Sequence, residues 1–120
     1  MWSPVFAAGD NPMKEEAVKT FWVKIYISGP IGVIEQLCRQ HCLEDGLCVT
    51  VAPTKFIYPG GEEDGVGVGL INYPRFPKSN SEVLTQARVL ADELLRGSCQ
   101  HSVLLMSPHE TVWITKRESP

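Results

Sequence analysis

Cys38, His41, Cys42 and Cys48 fall within eleven positions of this 120-residue chain, and thiolate and imidazole are the groups that hold zinc. Their spacing does not match the common zinc knuckles, because a C-x3-C pair without a second paired motif builds no tetrahedral site. Free cysteine packs as a small hydrophobe, so Cys38 and Cys42, four apart on one helix face, are expected in or near the core, with no metal and no other cofactor. Cys48 belongs to an apolar segment, where burial disfavours the thiolate a nucleophile needs. His41, His101 and His109 stand at a helix end, a strand start and a turn, with no serine or cysteine motif beside them. Each is expected at the surface or half-buried, and no catalytic residue is assigned.

Three groupings point to binding instead. Lys55, Phe56, Tyr58, Tyr73, Arg75, Phe76 and Lys78 combine rings with cationic groups, the side chains that interfaces favour. Of these, Lys55, Tyr58, Tyr73, Arg75 and Phe76 are the expected contact residues. The rings would supply buried area and Arg75 a charge-assisted bond to a carboxylate or phosphate. Gly65, Gly67 and Gly69 alternate with Val66, Val68 and Leu70, so the glycines share one face of a strand. Lacking a Cβ, they admit a flat ligand or a closely packed helix, and the helix is the favoured expectation. Ser28 and Gly29 end a strand where a helix begins, a junction whose amides can face an anion. Ser28, Gly29, Gly67 and Gly69 therefore form an alternative, small-ligand site.

The elements that must position these residues follow from periodicity. Residues 20–28 (TFWVKIYIS) alternate as a strand, with Phe21, Val23, Ile25 and Ile27 on one face. Gly29-Pro30 leads into a helix over residues 30–45, with Ile31, Ile34, Leu37, Cys38, His41 and Cys42 on one stripe and Gly46 as a left-handed cap. Residues 47–58 form a second strand, bent or at an edge because of Pro53. Pro59-Gly60-Gly61 turns, Glu62-Glu63-Asp64 reads as a solvated loop, and a third strand begins at Gly65. A Pro-rich connection (residues 73–78) reaches Ser79-x-x-Glu82, a capping box. The helix over residues 80–96 carries Val83, Leu84, Ala87, Leu90, Ala91, Leu94 and Leu95 as a stripe before Gly97. Strands at 101–106 and 111–116 close the chain. The order β-α-β-β-α-β plus a terminal hairpin predicts an α+β, ferredoxin-like (split βαβ) domain, with two helices on one face of an antiparallel sheet. The expected organisation is a tail or short helix over 1–19, the domain over 20–117 and a tail over 118–120. Met13 is an alternative start, which would make residues 1–12 an extension.

Composition narrows the classes further. Eleven Lys+Arg against fourteen Asp+Glu give a formal charge of −3, which draws the chain to neither nucleic acid nor anionic lipid. The third strand offers glycine and valine where an RNA-recognition module carries stacking rings. No apolar run approaches the roughly 20 residues of a membrane span, and residues 1–10 lack the features of a secretory signal. A cytoplasmic protein with reduced thiols is expected, one that forms a homodimer through the open sheet face or an edge.

Two resemblances add to this. The stretch KIYISGPI (residues 24–31) is similar to the opening strand and turn of nucleoside 2-deoxyribosyltransferases. Those enzymes use a doubly wound parallel sheet with more βα units than this chain holds, and their catalytic Glu has no placeable counterpart here. Residues 46–77 (GLCVTVAPTKFIYPGGEEDGVGVGLINYPRFP) resemble a segment of small uncharacterised phage and prophage proteins, which implies an accessory protein with no assigned chemistry. The expectation is a small non-enzymatic accessory protein of the phage or prophage kind that binds a host or partner macromolecule, a protein, through its aromatic and basic residues. The alternative is a nucleotide-type ligand binder or deoxyribosyltransferase-like enzyme at the Ser28-Gly29-Pro30 helix start.

Overall fold

The structure, a computed structural model, describes residues 13–116; the expectations for residues 1–12 and 117–120 lie outside them. Alternation builds the first strand, β1 (Trp22–Ser28), in which Val23, Ile25 and Ile27 are sealed from solvent. Gly29-Pro30 turns the chain into α1 (Ile31–Asp45), which Gly46 ends in the left-handed conformation (φ +66°), its N–H donating to the Cys42 carbonyl. A β-hairpin follows, β2 (Thr50–Tyr58) and β3 (Gly61–Ile71). Then come α2 (Asn80–Gly97) and a second hairpin, β4 (Ser102–Met106) and β5 (Thr111–Thr115).

The five strands lie in the order β2-β3-β1-β4-β5, with every neighbouring pair antiparallel. This is the ferredoxin-like, split βαβ arrangement that the periodicity predicts, extended by β5. Its centre, β1, pairs with both β3 and β4, which suits its run of β-branched residues. Pro53 sits in the edge strand β2, where its missing N–H costs no ladder bond.

One sheet face is dry. Val23, Ile25 and Ile27 of β1, Val66, Val68 and Leu70 of β3 and Val103 and Leu105 of β4 pack under Ile34 and Cys38 of α1 and under the Val83, Ala87, Leu90, Ala91, Leu94 and Leu95 stripe of α2. Fully burying each large aliphatic contributes roughly 1.5–3 kcal/mol relative to leaving it exposed. α2 starts on the capping box expected for it, the Ser79 side chain accepting from the Glu82 N–H and the Glu82 carboxylate from the Ser79 N–H.

Three expectations are corrected. Glu62, Glu63 and Asp64 are not a loop but the first half of β3, paired with Ile57, Phe56 and Lys55. The turn is shorter than expected because Pro59 and Gly60 make it alone. Gly60 has φ +87°, which fits a Pro-Gly turn with a left-handed second residue. Gly97 lies inside α2 instead of beyond its end, and a Cβ there would come within 2.7 Å of the Leu37 side chain. It permits α1 and α2 to approach, and Cys99 (φ +58°) takes the left-handed turn. His41 is fully buried, 1 % exposed, with Nδ1 2.6 Å from the Glu93 carboxylate of α2 and Nε2 3.2 Å from Asp45. The Asp45 approach is out of line for a hydrogen bond, leaving Nε2 without one.

Candidate active-site cleft on the open sheet face

Because strand residues alternate, the partners of the core positions form the opposite face of the sheet. Register aligns Ala52, Gly67, Tyr26, Leu104 and Trp113 in one row across all five strands. In the neighbouring row Thr54, Gly65 and Ser28 align, and beyond it Phe56 pairs with Glu63. No helix among the described residues covers this face. Both helices lie against the Val66, Val68 and Leu70 side, so the favoured expectation that the alternating glycines admit a helix is corrected.

The glycines make room for rings. A Cβ at Gly65 would collide with the Phe56 ring and lie 2.7 Å from the Ile27 carbonyl oxygen; one at Gly67 would touch the Tyr26 ring at 3.3 Å. Tyr26 and Phe56 thus fold over β3 and meet edge to face, their centroids 6.4 Å apart. Trp113, 61 % exposed, stands on the far side of Tyr26. Between them opens a cleft of about 400 Å³, also lined by Ser28, Glu63 and Gln100, within the usual size range of small-molecule sites. Ser28 Oγ donates to Glu63 Oε1 at 2.9 Å, which aims the carboxylate and leaves its second oxygen for a ligand. The side-chain amide of Gln100 packs against Gly29, 3.2 Å from where a Cβ would stand. The cleft therefore combines π-faces for a flat heterocycle, one oriented carboxylate, and hydroxyl and amide groups for hydrogen bonding.

Of the alternative small-ligand set, Ser28 lines this cleft, Gly67 lies beneath Tyr26 on its floor and Gly29 sits behind Gln100; Gly69 is one row further, beside Thr50. Glu63, Tyr26, Gln100 and Trp113 were not among the expected site residues. The available signal was parity, because Glu63 continues the alternation of Gly65, Gly67 and Gly69.

The aromatic and basic residues do not form one surface. Tyr73 and Phe76 stack at 6.2 Å, with the Arg75 guanidinium 5.5 Å from the Phe76 ring centre. Lys55 lies 3.5 Å from Glu62 and 3.7 Å from Asp64 on the other hairpin end, where Tyr58 faces Gly61. The two groups flank opposite ends of the eleven-residue β3, about 33 Å apart at a strand's rise per residue. Arg75 is matched to a ring and Lys55 to two carboxylates, instead of both standing ready for a partner.

Among the described residues the cysteines form no disulfide and no cluster of His, Cys, Asp and Glu is arranged to hold a metal. Burial pushes the Cys38 thiol up to about 11, helped by the charges of Cys42 and Glu35. Cys42 is raised by burial and by Cys48, against a lowering hydrogen bond from the Val49 backbone. No helix among the described residues is long and apolar enough to cross a membrane.

No family model and no curated protein matches the chain. Two solved structures share its fold. One is described as phage SAM lyase in complex with S-methyl-5′-thioadenosine, with TM-score 0.69, 15% identity and coverage of 92% of this chain and 100% of that one. The other is phage SAM lyase in the apo state, with TM-score 0.71, 16% identity and coverage of 91% and 100%. Their source agrees with the phage resemblance of residues 46–77. They also overturn the expectation of a non-enzymatic accessory binder, since the same fold over the whole of those chains belongs to an enzyme, and the surface on which the binder was based is divided between the ends of β3. The deoxyribosyltransferase resemblance fails as well, because the sheet is antiparallel throughout.

Proposed function

We propose that this chain is an enzyme that cleaves a sulfonium nucleoside of the S-adenosylmethionine type to S-methyl-5′-thioadenosine, in the cleft between Tyr26, Phe56, Glu63, Gln100 and Trp113. The observation that carries the reading is the pairing, in one cleft, of three rings with a carboxylate aimed by Ser28. The shared fold with a lyase solved in complex with that thioether nucleoside supports it. The rings offer stacking to adenine, worth roughly 1–3 kcal/mol per base.

The chemistry assigns Glu63 a place. Breaking the bond between sulfur and Cγ turns a sulfonium cation into a neutral thioether, so a carboxylate pressed against sulfur would stabilise the ground state more than the transition state. Glu63 serves better at the amino-acid end, accepting from the substrate's α-ammonium and orienting that chain. The substrate's own carboxylate oxygen then attacks Cγ, one C–O bond forms, and the C–S electron pair passes to sulfur. No proton has to move. Opposite charges are consumed in this step, so an apolar cleft favours it, and holding the attacking group in line supplies the proximity. A second copy of the chain over Trp113 would exclude water further, which gives the expected self-association a purpose. The cytoplasm, where such a substrate is made, is the setting.

The test is to incubate the protein with S-adenosylmethionine and follow release of S-methyl-5′-thioadenosine by mass spectrometry. Glu63→Gln, which keeps the shape and removes the charge, is expected to lower turnover about 100-fold while the protein stays folded. Absence of the thioether nucleoside above the spontaneous rate, together with no thermal stabilisation by it, would refute the reading.

A further inference from the structure

We propose a second ligand site, away from the cleft, for a small monocarboxylate with a branched or aromatic apolar body. On the helix side of the sheet, where β3 ends, a cavity of about 340 Å³ opens among the loop after α1, the Pro-rich connection and the first turns of α2. Leu47, Leu70 and Val83 make its apolar lining, and Phe76, stacked on Tyr73, stands at its mouth.

Three polar groups in this wall are unused. Among the described residues neither the Lys78 ammonium, the Gln86 amide nor the Tyr73 hydroxyl has a hydrogen bond or ion pair, although Lys78 and Gln86 are both half-buried. Among the described residues Lys55, Arg96 and Lys14 are paired with carboxylates, and the cations without an ion pair at Lys19, Lys24, Arg39, Arg88 and Lys116 are exposed to water, whereas Lys78 is half-buried. A half-buried ammonium without a counter-charge, beside an apolar cavity and a free amide, is complementary to one carboxylate on an apolar body. A single cation suits one negative charge, which disfavours a nucleotide carrying several.

The wall is held in place before any ligand arrives. Asn72 Oδ1 accepts from the Lys78 N–H at 2.9 Å, Asn72 Nδ2 donates to the Lys19 carbonyl at 3.1 Å, and the Asn72 N–H donates to the Phe21 carbonyl at 2.8 Å. One residue therefore ties the connection to the start of β1. Such preorganisation reduces the ordering a ligand must impose. The cavity lies on the opposite face of the sheet from Glu63 and towards the other end of β3, so both sites can be filled together.

The probes are phenylacetate and its uncharged counterpart phenylacetamide, titrated into the full chain and followed by backbone amide chemical shifts. Phenylacetate is expected to shift Cys48, Phe76, Lys78 and Gln86 while leaving Ser28 and Glu63 in place. Phenylacetamide should bind at least tenfold more weakly, and Lys78→Met should weaken phenylacetate by a similar factor without changing its chemical-shift dispersion. Gln86→Leu, on α2 and outside the Pro-rich connection, provides a second variant should Lys78→Met perturb that connection, and it should weaken the acid several-fold. Equal binding of acid and amide, shifts at the cleft instead, or no shift at millimolar acid would each overturn the proposal.

Discussion

Replacing Gly65 by alanine tests the link between the glycine alternation and the cleft. The new methyl would meet two things, the Phe56 ring and, at 2.7 Å, the Ile27 carbonyl oxygen. The ring can rotate away; the carbonyl belongs to β1, the central strand, and cannot yield without spreading the β1–β3 pair. Carbon-to-carbonyl contacts between strands normally lie at about 3.3–3.6 Å, so the sheet must open by several tenths of an ångström. Overpacking of this kind costs about 1–3 kcal/mol, offset by roughly 0.5–1 kcal/mol from removing a strand glycine's unfolded-state freedom. The net expectation is a loss of about 1–2 kcal/mol, with Tm falling by about 4 °C per kcal/mol for a domain this size. Loss of the Phe56 wall should also weaken S-methyl-5′-thioadenosine by about 5- to 100-fold, the range of a base–ring stack. Gly69→Ala is the control, for its methyl would meet the Thr50 hydroxyl at 2.5 Å, the rotatable end of a side chain on an edge strand. Thermal melts and a nucleoside titration on both variants decide the matter. Equal effects of the two substitutions, or a more stable Gly65→Ala protein, would refute the reasoning.

Other perturbations probe the helix layer. Glu93→Ala removes the carboxylate 2.6 Å from His41 Nδ1 and leaves a buried ring nitrogen without its partner, at a cost of about 1–3 kcal/mol in urea denaturation; an unchanged midpoint would show that the contact contributes nothing. For Cys38, whose thiol is pushed up to about 11 by burial, the unfolded chain ionises near the ordinary thiol value while the native state keeps its proton. Its contribution is thus complete below about pH 9 and is lost as pH rises towards 11. Melting curves across that window should fall more steeply for the parent than for Cys38→Ala, and parallel slopes would contradict the assignment.

Much of this molecule is readable from one-dimensional signals. The period-2 runs of β1 and β3, the stripe of α2, the Ser79-Glu82 box and the Gly46 cap all report local geometry that the chain adopts wherever it is placed. Together they specify an α+β domain and its element order, and the need to cover one apolar face with both helices leaves few topologies. Residues 62–64 were misread because charge suggested a loop, whereas the Pro59-Gly60 turn lets an acidic segment pair along an edge hairpin. His41 was misread because an imidazole on an apolar stripe is tolerated only if a carboxylate from another element reaches it, and Glu93 stands 52 positions away.

The site was harder still. Alternation says which residues share a face, but only the packing of α1 and α2 decides which face is dry. That choice put Gly65, Gly67, Tyr26 and Glu63 on the open side. Register across five strands then set Trp113 in the row of Tyr26, across Leu104 from it, and Phe56 opposite Glu63. The sequence by itself determined the elements, because their causes are local: alternation, caps and turn residues. Tertiary structure alone decided the cleft, because its walls come from β1, β2, β3, the loop after α2 and β5, and no local rule measures the distance between them.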